Sequence, residues 1–593
     1  MRFVGRTVLN ELPLFATTLL LWGSECLRDV EGLLRYDGTT PLLHYAGRLC
    51  IVVFQAFLIA CCVRLVLRRS IVRLAAYAFV VVPVVLAWFM REQAGMEICG
   101  TALQMAYETD MNEAAAFLRV YVMDFGVITV SALLIVAVAV WVWVERRWQE
   151  FVPRVATFRC RRPLGWLLIA MLLIGGGLFV RYSVLLVRAK MSGDSAHWNA
   201  SAAAIAPRDP LTKFAFAVLD LRSMRRAVVR SVGCTAEYVA KEPARSDADS
   251  LHVVLVVGES YIRCHSALYG YRLPTTPRQE MERRGGSLAV FTDAVSPAAT
   301  TIVAMQRLFF VTDGDDTTWY DGVFFPAVFR SAGFHVAFLD NQQTMRTGLR
   351  KEGVGDKAFP VLNPMFDAAM VRLSYDYFGT TSHDYDGGLI DELLCLADTA
   401  SRCLTILHLK GQHFDAAWTF PNDAAHERFS SGDYGWRHEA WLTEEKRQHI
   451  ADYDNATLYN DLQLGRLYDH YRHKRAVIVY LSDHGEEVYD YRDRWGRTHR
   501  YEDAAQTELY FRVPLTIWLS DVYRAAFPEA ARRVAAASRL PIMTTALPHL
   551  LFDLAALRTP LYSATANPLS PRYVPRPRIL YDGRDFDKAV TTP

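Results

Sequence analysis

Near-continuous apolar stretches fill the first third of the chain, at 3–27, 45–67, 71–90, 121–144 and 164–187. A membrane span needs about 20 such residues. Each stretch predicts a transmembrane helix, and together they predict a five-helix membrane domain over 1–187. Arg2 and Arg6 precede the first stretch and no small-residue cleavage site follows it, so it reads as a retained span and not as a signal peptide. Arg64, Arg68, Arg69 and Arg73 mark the turn where the second stretch gives way to the third. Arg146, Arg147, Arg154, Arg159, Arg161 and Arg162 lie between the fourth and fifth. Short basic loops stay on the cytoplasmic side. The acidic loop with Glu92, Glu97, Glu108, Asp110 and Glu113 then faces outward, as does everything after about residue 190.

The pattern changes twice more. Residues 188–250 are mixed. LTKFAFAVLDLRSMRRAVVR has helical apolar spacing and a basic face, which suits either a helix lying on the membrane surface or a packed linker helix. KEPARSDADS then reads as a linker. From Leu251 to the end, short apolar runs (VVLVV, FHVAFLD, CLTILHL, AVIVYLS, VPLTIWL) alternate with helical stretches such as AWLTEEKRQHIADYDNATLYNDLQLGRLYDHY. That alternation predicts a doubly wound α/β domain over 251–593. Runs with no polar alternation are strands buried on both faces of a sheet.

Composition sharpens this only in places. At 593 residues the chain exceeds one ordinary domain, and its 52% hydrophobic content is concentrated before residue 190. A net charge of +2 gives no global field for nucleic acid. Ten cysteines include no C-x-x-C pair. Cys234, Cys264, Cys395 and Cys403 belong to the part expected outside the cytoplasm, where disulfides are permitted, and Cys395 and Cys403 are near enough in sequence to pair.

The candidate chemistry sits where apolar runs stop. Leu251–Val257 ends at Gly258-Glu259, and Ala476–Leu481 ends at Ser482-Asp483-His484. Open α/β sheets place their sites at strand carboxyl ends. Between these two ends lies SPAATT, with adjacent hydroxyls on Thr300 and Thr301. A glutamate, an aspartate, a histidine and a hydroxyl form a hard O/N set suited to zinc or a similar divalent ion. His413 and Asp340-Asn341-Gln342 follow other runs, and His499 lies in a polar loop. His408, inside its strand, reads as a packed residue. A threonine hydroxyl is almost wholly protonated, and a metal lowers that barrier to attack on phosphorus. Nearby histidines can stabilise phosphoryl oxygens or protonate a leaving alkoxide. No G-x-S-x-G elbow points to acyl transfer.

In this order, VVLVVGES, YGYRLPTTPR, DAVSPAATT, KGQH, YDN and LSDHGE resemble the phosphoethanolamine transferases of Gram-negative inner membranes, within the alkaline phosphatase and sulfatase superfamily. The resemblance covers essentially the whole chain. It implies zinc held by Glu259, Asp483 and His484, with Thr301 as nucleophile and fourth ligand. The family loop D-x-x-S-x-x-x-x-T is matched by Asp293, Ser296 and Thr301, which leaves Thr300 as the alternative. His413 and His499 match family histidines that contact the phosphoryl group or a second zinc. Asn341, Gln342 and Arg346 match donor head-group contacts, as do Thr109 and Glu113 of the outer loop. Met105 stands where the family has asparagine, Pro297-Ala298 where it has Cys-Gly, and the S-V-P after the nucleophile is missing. These departures bear on the acceptor. The family implies phosphatidylethanolamine as donor, a phosphothreonine intermediate, and lipopolysaccharide (lipid A or core) or another surface glycan as acceptor. It also implies a multi-pass anchor in the bacterial inner membrane with the catalytic domain in the periplasm.

Two other readings fit parts of the pattern. One is a phosphoglycerol transferase or sulfatase of the same fold, although the C-x-P-x-R or S-x-P-x-R segment of a sulfatase is missing near Glu259. The other is a lipid-binding regulatory pseudoenzyme, against which the joint retention of Glu259, Thr301, Asp483 and His484 argues.

Overall fold

A computed structural model of the full chain describes residues 2–27, 41–66, 70–94, 97–108, 136, 139–141, 143–148, 150, 162–192, 209–312, 318–342, 363–379, 381, 383–396, 400–413, 415–497 and 503–591. The chain divides into two compact units, Met1–Met224 and Arg225–Pro593.

In the first unit, three described helices contain segments long and apolar enough to cross a membrane: Tyr45–Leu65, Ala75–Glu92 and Gly165–Leu185. These match the second, third and fifth expected spans. The first expected span is instead two helices, α1 (Arg2–Asn10) and α2 (Leu12–Leu27). They break at Glu11, two residues before Pro13, whose ring cannot donate to the helical ladder. Glu11 is buried and accepts from Arg73 at 2.9 Å, and Arg73 also reaches Glu145 at 3.0 Å. An apolar count cannot register such an ion pair. Most of the fourth expected span, 121–144, lies outside the described residues. The mixed stretch after the fifth span contains a 32-residue helix, Pro210–Lys241. Asp209 caps that helix, accepting from Thr212 N at 2.9 Å, with Pro210 as its first residue.

The second unit is built on a mixed sheet of seven strands, β1 (Leu251–Gly258), β2 (Leu288–Phe291), β3 (His335–Asp340), β4 (Tyr377–Phe378), β5 (Arg402–His408), β6 (Ala476–Ser482) and β7 (Leu515–Leu519), in the order β2-β7-β6-β1-β5-β3-β4. The five strands β6, β1, β5, β3 and β4 run parallel, whereas β7 and β2 close one edge antiparallel. Alternate residues of β1 enter two cores. Val253, Leu255 and Val257 pack with Phe309, Phe329 and Leu551, while Val254 and Val256 pack with Leu464, Leu467 and Tyr468. The second core is covered by a long helix, Glu444–Tyr471, which opens on Thr443 as a side-chain cap with Glu444 and Glu445 in its first turn. No disulfide joins Cys395 to Cys403: the Cys403 thiol donates instead to the Ala400 carbonyl at 3.4 Å.

Candidate functional site

Parallel pairing of β1 and β6 aligns Gly258 with Ser482. The next residue on each strand, Glu259 and Asp483, therefore emerges side by side at the same sheet edge. Glu259, Asp483 and His484 are each 0% exposed, and each offers a ligand atom within 4.8 Å of the other two. His484 Nε2 lies 3.3 Å from Glu259 Oε1 and 3.1 Å from Asp483 Oδ2. Ser260, at a φ of 57°, turns its amide onto Asp483 Oδ1 at 3.1 Å, so the two strand ends are tied directly. A non-glycine residue in that conformation is strained, and such strain gathers where geometry is fixed for function.

Thr301 is the first residue of the Thr301–Phe309 helix. Its hydroxyl donates to Glu259 Oε2 at 2.9 Å and lies 3.3 Å from His484 Nε2. Thr300 is the N-cap residue and makes no side-chain capping bond. The loop before this helix is pinned by Ser296, whose amide donates to the Phe511 carbonyl at 2.7 Å and whose hydroxyl donates to the Asp483 carbonyl. Asp293 pairs with Arg512 and Arg578. The spacing Asp293, Ser296, Thr301 is thus a set of anchors that carries the hydroxyl to the strand ends.

The remaining expected residues fall in three groups. His413 is half-buried on the loop after β5, close enough to Glu259 and His484 to act on both electrostatically. That loop is fastened to the ligand set, since Gln412 N donates to the Glu259 carbonyl at 3.1 Å. Gln342 and Asn341 are buried and engaged within the protein. Gln342 Nε2 donates to Glu259 Oε2 at 2.7 Å and to the Leu409 carbonyl at 3.0 Å, and Asn341 Nδ2 donates to Asp386 at 2.8 Å. Thr109, Glu113, Arg346 and His499 lie outside the described residues. His408 is packed in its strand, with Nδ1 2.8 Å from Asp340.

Two contributors escaped sequence reasoning. Asp386 accepts from Asn341 Nδ2, from Lys410 N at 2.8 Å and from Gly411 N at 2.9 Å, and so shapes the loop that carries His413. Arg497 places its guanidinium against the His484 ring and 3.7 Å from Glu259 Oε1. Its proximity in sequence to His499 was the one available signal.

Electrostatics describe a site suited to a cation. Burial would raise the Glu259 pKa, but His484, Arg497 and His413 outweigh it and hold the carboxyl well below its usual range. Burial, with the charge of Glu259, pushes Asp483 well above its own. Burial, with Arg497, pushes the His484 imidazole well below its usual pKa, and the charge of Glu259 opposes that shift. Burial and charge thus drive the two enclosed carboxyls in opposite directions, Glu259 toward its charged form and Asp483 toward its neutral form. Asp483 Oδ2 is buried and makes no hydrogen bond. A divalent ion would ionise both carboxyls and satisfy that atom, so this donor set fits zinc. A second group, Cys264, His265 and Asp490, is also close-set. Both ring nitrogens of His265 are already engaged, however, by Asp454 at 2.6 Å and Asp490 at 3.0 Å.

A family model described as Sulfatase matches residues 252–551. Among curated relatives, phosphoethanolamine transferase EptC of Escherichia coli O18:K1:H7 is 24% identical over 501 residues, covering 81% of this chain and 79% of that protein. Phosphoethanolamine transferase CptA of Salmonella typhimurium is 25% identical over 550 residues, covering 88% and 87%. Among solved structures, the integral membrane lipooligosaccharide phosphoethanolamine transferase A (EptA) from Neisseria meningitidis shares the fold at a TM-score of 0.54 and 17% identity, covering 96% of this chain and 99% of that one. The family match takes in half the chain and encloses Glu259, Thr301, Asp483 and His484 together, and the chain is an enzyme of the sulfatase family.

Proposed function

We propose that the chain transfers phosphoethanolamine from phosphatidylethanolamine to a hydroxyl or phosphate on lipopolysaccharide or another surface glycan, from a periplasmic unit anchored in the bacterial inner membrane. One observation carries this reading: the Thr301 hydroxyl stands within hydrogen-bond reach of two members of a buried Glu-Asp-His set. The names of the curated relatives supply the transferred group.

Thr301 Oγ attacks the donor phosphorus and gives up its proton to the surrounding water, forming a phosphoethanolamine ester of the threonine. The bond from phosphorus to the diacylglycerol oxygen breaks, and that alkoxide takes a proton. An acceptor hydroxyl or phosphate oxygen then attacks the same phosphorus and the bond to Thr301 breaks, with the proton released by the acceptor, or one from water, restoring the threonine hydroxyl. Zinc, when bound, would be held by Glu259, Asp483, His484 and Thr301 and would supply positive charge that favours ionised threonine and offsets charge on phosphoryl oxygens. Thr301 opens a helix, where unpaired backbone amides favour an incoming anion. Gln342 and Ser260 hold Glu259 by hydrogen bonds of 2.7 Å each, so the set is preorganised. His413 and His499 are assigned to phosphoryl stabilisation and proton delivery, and Thr109, Glu113 and Arg346 to the donor head group.

Mass spectrometry of the purified chain incubated with labelled phosphatidylethanolamine tests the reading. The expected result is an ethanolamine-phosphate adduct on Thr301, missing in Thr301→Ala. Modification confined to Thr300 would move the nucleophile, and a zinc-loaded chain that never acquires an adduct would sink the covalent route.

A further inference from the structure

Away from the ligand set, the second unit holds a cavity of about 80 Å³ whose walls come from four places in the chain. Arg307 enters from the Thr301–Phe309 helix, Trp319 from a short turn and His549 from the Leu547–Leu554 helix. Tyr573, Val574, Arg576 and Ile579 come from the proline- and arginine-rich C-terminal segment. That segment has no part in the transfer chemistry.

Arg307 is half-buried. Among the described residues it makes no hydrogen bond or ion pair, and only the more distant charge of Asp582 favours its protonated form. A partly desolvated guanidinium that faces a cavity gains when an oxyanion accepts from its planar fork. The other charged groups on the C-terminal wall are not equivalent. Arg578 is buried behind that wall, outside the cavity lining, and is already matched by Asp293 and Asp587. Arg576 is exposed on the cavity rim and adds positive charge there. Thr312 and Thr545 supply hydroxyls, and Trp319 and Tyr573 supply flat apolar faces. Cationic forks, hydroxyls and aromatic faces in one small cavity match an anionic sugar, with its oxyanion on Arg307 and its ring against the aromatics.

We propose that this cavity binds a phosphate or carboxylate borne on a sugar ring, and that it anchors the glycan acceptor at a point remote from the ligand set. Arg307 is six residues from Thr301, so the helix separates their Cα atoms by about 9 Å along its axis. The acceptor's identity rests on the transferase reading, whereas binding in the cavity is measured without turnover.

The test is calorimetric titration of the full chain in detergent, after chelation of metal, with a hexose phosphate, a hexuronate, inorganic phosphate and the neutral hexose. The hexose phosphate and hexuronate are expected to bind at least tenfold tighter than the neutral hexose. Arg307→Met should abolish the difference, and Arg307→Lys should retain part of it. If Arg307→Met fails to fold, Arg576→Gln carries the test with an expected several-fold loss. Inorganic phosphate binding as tightly as the hexose phosphate would remove the sugar from the proposal and overturn it. Equal binding of charged and neutral sugars, or charged-sugar binding unchanged in Arg307→Met, would also overturn it. Loss of the Thr301 adduct with cavity binding intact would instead count against the transferase reading alone.

Discussion

At the scale of single residues, the ligand set is held by groups that never touch the reaction. Gly411 has a φ of 53°, and a Cβ built on it would lie 2.8 Å from Glu259 N. Gly411→Ala must therefore shift either its loop or the backbone of Glu259. A several-fold loss of zinc affinity is expected, read by competition with a chromogenic chelator; unchanged affinity would mean the loop yields without moving Glu259. Asp386 works on the same loop. Asp386→Ala strips the partner from two buried donors and one part-buried donor, each buried one costing about 1–3 kcal/mol when left unmet. A stability loss of about 3 kcal/mol or more is expected in urea unfolding, with Asp386→Asn costing less because its amide keeps one acceptor oxygen. Glu259, Asp483 and His484 could be read from sequence because each closely follows an apolar strand. Asp386 and Arg497 could not, because they reach the site from a helix start and a loop with no periodic pattern to mark them.

At the scale of elements, the apolar runs identified the strands, since successive residues such as Val254 and Leu255 point to opposite faces of the sheet and both are buried. Strand direction was not legible. The runs of β6 and β7 look alike, yet one pairs parallel with β1 and the other antiparallel with β6, a choice fixed by connections and not by composition. Nor did the sequence reveal what joins β1 to the long Glu444–Tyr471 helix. His265, just beyond β1, is clamped between Asp454 of that helix and Asp490 of the loop after β6. Burial would lower its pKa, but the two aspartates overcome this and push it up to about 10. The folded pKa exceeds the unfolded value of about 6.5, so the clamp stabilises fully below pH 6.5 and is lost as pH rises toward 10. Urea midpoints measured between pH 6 and pH 10 should fall as pH rises. In His265→Gln the fall should be shallower from a lower start. Parallel declines in the two proteins would show that the clamp is not the titrating element.

At the scale of the whole molecule, hydropathy separated an apolar first unit from an α/β second unit because each obeys a different rule of burial. A span is counted by length in hydrocarbon and a strand by its two covered faces. The same rule did not register the break at Glu11 within 3–27, where the carboxylate pairs with Arg73. Division into two units has a kinetic consequence for the proposed reaction. The second unit carries its own cores and the complete Glu-Asp-His set, so residues 225–593 should fold alone and bind zinc like the full chain. What excision removes is the tether. A linked module meets its partner at an effective concentration in the millimolar range, and linkage raises apparent engagement by about 10²–10⁴ without a new contact. With phosphatidylethanolamine in vesicles, the full chain should form the Thr301 adduct at least about a hundredfold faster than the excised unit at equal protein concentration. With a short-chain, water-soluble phosphatidylethanolamine the two should react at similar rates, since the tether then confers nothing. An excised unit as fast as the full chain on vesicles would show that the apolar helices do not serve to present the donor. An excised unit slow on both substrates, with zinc affinity unchanged, would show instead that the first unit supplies part of the donor site, the role assigned to Thr109 and Glu113.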